Sequence, residues 1–235
     1  MKYRTMAALA LAALPVAAQA DSFMPPTLTE ARSPSGEWIA TVIPARLSCA
    51  QGEIRCAPAA RAVIEYVGKG TDRMASTTVR LVNPEAPGRT LLTDDGERLL
   101  TVDDYASMGF GPNALVIYRR DGSVVRRLAL ADMVPADYID GLPRTASSLL
   151  WIAEAPRIEP DSHRAIVPLL LIGPMGQEYR GRRSLALALD LDTGEIEQPA
   201  GPEWERARNC ARANSWIVPD RHAMRERERF RKLCR

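Results

Sequence analysis

Between residues 184 and 192 the chain reads SLALALDLD, with leucine at every second position and Ser, Ala or Asp between. A period of two is the spacing of a strand with one apolar face. Five shorter runs, 37–45, 61–68, 98–102, 114–120 and 123–130, are rich in β-branched or aromatic residues and bounded by Gly, Pro, Asp or Asn. They too predict strands. The run AIVPLLLIG, 165–173, is almost continuously apolar, and Pro168 inside it predicts an edge strand or a bulge, because proline has no N–H for a ladder. Near Pro202 the period changes. PEWERARNCARAN places Trp204, Ala207, Cys210 and Ala211 three and four residues apart, and a second segment follows the N-cap candidate Asp220. Both predict amphipathic helices. The expected fold is mainly β over 21–202, with a C-terminal helical hairpin over 203–235 and Trp204, Trp216 and Phe230 buried against the body.

SPSGEWIATV (33–42) and TDDGERLLTV (93–102) share the form xxxGExxxTV, and each is followed later by a strand, a Gly turn and another strand, as in YRRDGSVV and LDLDTGEI. This rhythm over roughly 30–200 resembles the blades of β-propellers such as the Tol-system propeller proteins and tryptophan-aspartate repeat proteins. The resemblance implies propeller-like antiparallel sheets, about four blades at about 40 to 50 residues each. A sandwich-like stacking of sheets is the alternative. The run GERLLTVDDYASMGFGPNALVIYRRDGSVVRRLALADMVP is similar to a segment of exported bacterial proteins of uncharacterised function. That similarity implies export and an all-β body, and no particular activity.

Residues 1–20 read as a secretory signal peptide: Lys2 and Arg4 precede the apolar run from Met6 to Val16, and Ala18 and Ala20 stand where a signal peptidase reads. Pro15 breaks the run, which is too short to span a bilayer. The expected location is the periplasm or outside the cell, with no transmembrane segment after cleavage. Removing Lys2 and Arg4 leaves 29 basic residues against 29 acidic ones, so the cleaved chain is neutral and has no general case for nucleic-acid binding. Its charge is uneven: 203–235 carries ten Lys or Arg and five Asp or Glu, which makes a basic tail on an acidic body. Such a tail reads first as a solvated helix face, and otherwise as a contact for an anionic surface or acidic partner. Export also favours disulfides among the four cysteines, and the pairing expected is Cys49 with Cys56 and Cys210 with Cys234.

Candidate chemistry is sparse. The chain has no GxSxG, no HExxH and no dinucleotide fingerprint. GQEYRGRRS has the GxxxxG spacing of a phosphate loop but lacks its Lys and Ser/Thr and leads into a strand, so it reads as a hairpin loop. The turn VDDYASMGFGPN carries the best candidates, Asp103, Asp104 and Tyr105. Adjacent carboxylates repel unless screened, and on a strand end they face opposite ways. Turn capping, a polar pocket for a partner, and metal binding or catalysis are the three readings. Arg144 is a possible partner for either aspartate, and Trp151 is a core residue or an aromatic wall. His163, with Ser147 or Ser148 and Asp103 or Asp104, would complete a hydrolase. The DxDxDG calcium loop is absent, and no cofactor or metal is expected. The leading expectation is a non-catalytic exported β protein that binds an envelope protein or a surface polymer through its loops. A periplasmic hydrolase using His163, or a calcium-stabilised structural module, is the alternative.

Overall fold

The computed structural model describes residues 24–45, 59–68, 76–174, 183–216 and 221–234. Cys49, Cys56 and most of the 176–184 loop lie outside them. The strands form three antiparallel four-stranded sheets, each a meander in chain order. The first holds β1 (Thr29–Arg32), β2 (Trp38–Ile43), β3 (Arg61–Tyr66) and β4 (Thr77–Arg80). The second holds β5 (Pro87–Leu92), β6 (Arg98–Asp104), β7 (Leu115–Arg119) and β8 (Val124–Leu128). Two short helices, α1 (Leu130–Met133) and α2 (Ala136–Asp140), lead to the third, which holds β9 (Arg157–Ile158), β10 (Arg164–Leu170), β11 (Ser184–Asp190) and β12 (Ile196–Glu197). The helices α3 (Pro202–Asn214) and α4 (Arg221–Cys234) follow. Among the described residues the sheets close into neither a barrel nor a propeller, and no helix is long and apolar enough to cross a membrane.

The burial pattern explains the sequence pattern. Strands β2 and β3 alternate because only one face is covered: Trp38, Ala40, Val42, Ala62 and Ile64 point at Leu92, Leu99, Val116 and Tyr118 of the second sheet. The other face of that second sheet, with Leu100, Val102, Leu115 and Ile117, joins a larger core with the third sheet and the C-terminal helices. A sheet covered on both sides has no solvent face to mark with polar residues, so β7 reads LVIY without a break. In β11 the leucines at 185, 187 and 189 all meet this larger core.

Strand β10 is not an edge, since β11 runs beside it throughout and β9 pairs with its first turn of ladder. Pro168 is tolerated for a local reason. Its carbonyl accepts from Ala153 N at 2.9 Å, so its nitrogen faces the same side, where β9 has given way to the isolated Ile152↔Leu169 bridge in place of a full ladder. The elements not foreseen, β1, β4, β5, β9, β12, α1 and α2, are short or polar, as strands at sheet edges are.

The xxxGExxxTV segments occupy matching places, each spanning the β1–β2 or β5–β6 turn and the strand after it. The hairpin closes in the same way, Ser33 N to Trp38 O and Thr93 N to Arg98 O, each at 3.0 Å. Glu159 N to Arg164 O, at 2.9 Å, closes a third such turn between β9 and β10. Its sequence EPDSHR lacks the Gly-Glu pair that marked the other two, and Asp161 takes up a positive φ of 53°.

Helices α3 and α4 are joined by the Cys210–Cys234 disulfide. Trp204 is buried, its ring 5.0 Å from that of Tyr138, and Asp137 of α2 receives Arg208 at 3.2 Å and Arg212 at 2.6 Å. Gly141 lets α3 approach closely, because a Cβ there would overlap the backbone of Ala211. Trp216 departs from expectation. It is 61% exposed and is held by its polar edge, with Nε1 donating to the Leu142 carbonyl at 3.2 Å.

Candidate functional site

Strand β6 ends in the candidate turn. The chain takes positive φ at Asp103 (54°), Ala106 (59°), Gly109 (72°) and Gly111 (83°), which folds 103–113 back towards β7. Asp103 is turned inward, where its carboxylate accepts the Gly109 N–H at 2.7 Å and the Trp151 indole N–H at 3.0 Å. Glycine is required at 109 twice over: for the left-handed backbone, and because a Cβ would lie 2.8 Å from the Leu149 Cβ. Burial pushes the Asp103 carboxyl up to about 6, against the downward pull of the Gly109 and Trp151 N–H bonds.

Asp104 reaches a separate set of partners. Its Oδ1 accepts from Asn83 Nδ2 at 2.8 Å, and its Oδ2 from Asn113 Nδ2 at 3.0 Å. Asn113 is oriented in turn by Arg127, whose Nη2 donates to Asn113 Oδ1 at 2.8 Å. Arg144 takes no part: it is exposed and donates to the Ile139 carbonyl at 3.0 Å. The pairing expected for it fails because α2 lies nearer than the aspartates do. Trp151 is fully buried and serves both as core and as donor to Asp103. Every oxygen of the two carboxylates thus meets an N–H donor, which is the pattern of a clasp that holds a turn.

Beside this clasp a cleft of about 590 Å³ opens between the turn, the start of β5 and the 148–155 segment. Met108, Leu150 and Ile152 give it an apolar wall, and Arg89, Ser107 and Glu154 stand among its polar residues. Tyr105 also lines it, and the Tyr105 hydroxyl donates to the main-chain carbonyl of Met24. A smaller hollow of about 280 Å³ between β1 and β5 shares Gly88, Arg89 and Ala155 with the cleft. Nothing in the sequence drew attention to Asn83, Arg89, Asn113 or Arg127. Only Asn83 had a local signal, an Asn-Pro step that marks a turn.

His163 lies elsewhere, in the β9–β10 turn. Its Nε2 is 2.6 Å from Asp95 Oδ2 and its Nδ1 2.9 Å from Asp192 Oδ1, and Arg98 reaches the same Asp192 oxygen at 2.7 Å. Partial burial works against the imidazolium, but the bonds to Asp95 and Asp192 outweigh it, and the His163 pKa lies above its ordinary value. Asp94 ties the same corner together, accepting Ser35 N at 2.6 Å and Asp161 N at 3.2 Å, so the first hairpin turns of all three sheets meet there. Ser148 lines the first cleft, whereas His163 lines a separate hollow of about 410 Å³. The Ser, His and Asp of the hydrolase reading are therefore not brought together. Among the described residues no three His, Cys, Asp or Glu side chains are placed to hold a metal ion.

No protein-family model matches the chain, and no curated protein or solved structure does either.

Proposed function

We propose that this chain is an exported, non-catalytic β protein whose cleft beside the 103–109 turn binds an envelope protein or a surface polymer. The observation that carries the reading is the division of polar groups around the cleft. Asp103 and Asp104 are consumed in holding the turn, while the exposed guanidinium of Arg89 stands at the cleft next to an apolar wall. A rigid floor with available polar groups and hydrocarbon beside them is the composition of a recognition site.

Export is part of the same proposal. The 1–20 leader pattern supports it, and so does the oxidised Cys210–Cys234 pair, since disulfides persist outside the reducing cytosol. A propeller-like relation of the three sheets also belongs here. Each is a four-stranded meander entered through a similar turn, and β5 lies against both β1 and β9.

A photo-reactive amino acid placed at Ser107 tests the reading in cells, with the exposed Glu65 on the first sheet as control position. Crosslinks to an envelope component from 107 and not from 65, lost on Arg89→Glu, are expected. Equal labelling from both positions, or none, would remove the cleft from consideration.

A further inference from the structure

We infer that the occupant of the cleft is an extended polypeptide segment that lays its main chain along the edge of β5. This rests on the binding role proposed above and specifies the partner's chemistry. The first observation is the form of the groove. The larger cleft and the smaller hollow share Gly88, Arg89 and Ala155, so together they follow β5 past β1. Both are edge strands of their sheets. Away from the contacts of β5 with β1 and β9, an edge strand carries backbone N–H and C=O groups on its open side, and an added strand is what pairs with them. Where the two hollows join, Gly88 has no side chain to hold a visiting backbone away. Its own pair is missing from the ladder: Pro87↔Asp104 and Arg89↔Val102 keep one register, and Gly88 between them lies opposite Asp103, whose positive φ interrupts the pairing.

The second observation is Thr90. Its hydroxyl oxygen is buried and has no hydrogen-bond partner among the described residues, and Thr90 lines the smaller hollow. A buried hydroxyl without a partner is unfavourable, and a turn of the Thr90 side chain toward an added strand would give it a main-chain partner. The third is Tyr105, whose hydroxyl, at the wide end of the groove, already donates to the main-chain carbonyl of Met24. The Tyr105 hydroxyl is thus placed to donate to a main-chain carbonyl at that end of the groove. The wall of Met108, Leu150 and Ile152 suits an apolar side chain of the added strand. A glycan would meet hydrocarbon there, where its hydroxyls need hydrogen-bond partners.

The purified protein would be panned against randomised twelve-residue peptides on phage and, in parallel, titrated with soluble cell-surface glycan chains. Enriched peptides are expected to slow amide hydrogen exchange at Gly88 to Leu91. N-methylation of alternate residues along one edge of the peptide should weaken binding at least about tenfold, and along the other edge leave it unchanged. Thr90→Val should weaken binding about fivefold, the worth of one hydrogen bond, with no loss of Tm. Peptide binding that survives N-methylation of either edge would overturn the inference. Glycan binding at the cleft without peptide binding would overturn it too and leave the proposed binding role standing; binding of neither would remove both.

Discussion

Asp103 is 5% exposed, and among the described residues it feels the charges of Asp104, which repels its own, and Arg89, which favours it from the exposed side. Its folded pKa of about 6 stands above the ordinary 3.8, so the ionised group opposes folding. The sign is set by linkage. Below about pH 3.8 the carboxyl is protonated in both states and carries no penalty; the penalty grows up to about pH 6 and is complete above it. On the scale of about 1.4 kcal/mol for each unit, this amounts to roughly 3 kcal/mol. Asp103→Asn keeps an acceptor for Gly109 and cannot ionise. Urea unfolding at pH 4, 5.5 and 7 should show wild-type stability declining relative to the variant by a few kcal/mol as pH rises. A constant difference across that range would mean that Asp103 ionises without penalty.

At the scale of the element, the 103–113 turn depends on backbone conformations that most residues resist. Gly109→Ala places a Cβ against Leu149 in a left-handed conformation. It should lower stability by more than about 1 kcal/mol and speed hydrogen exchange at 103–113, while β2 and β3 keep their protection. Loss of protection over the whole molecule would make the turn part of the global folding unit. The strands flanking the turn were legible from sequence because alternation or β-branched runs announce them locally. The clasp itself was not. Asn83, Asn113 and Trp151 are 20, 10 and 48 residues from Asp103 in the chain, and nothing in a local pattern says that they converge. The expectation for Arg144 failed for the same reason: a cation's partner is chosen by the nearest acceptor in space, here the carbonyl of Ile139.

For the whole molecule the corner at His163 matters most, because it joins turns of the second and third sheets through Asp95, Asp192 and Arg98. Its raised pKa implies stability that is fully present below His163's ordinary 6.5 and lost as pH rises through the higher folded value. His163→Gln should therefore lower Tm at pH 5.5, with a difference that shrinks by pH 9. A difference independent of pH would mean that the ring contributes only neutral hydrogen bonds.

The chain's own pattern pointed to a mainly β body, seven of its strands and both C-terminal helices, and favoured the Cys210–Cys234 pairing that the structure shows. All of these follow from periodicity, turn chemistry and residue type, which act over a few residues or one helix pair. Which sheet would be covered on both faces, which strands would lie at edges, and which side chains would hold the 103–113 turn depended on packing between sheets whose starting strands begin at 29, 87 and 157. Burial and hydrogen bonding across such distances belong to the assembled core. The same packing that ties up Asp103 and Asp104 leaves Arg89 exposed at the groove along β5.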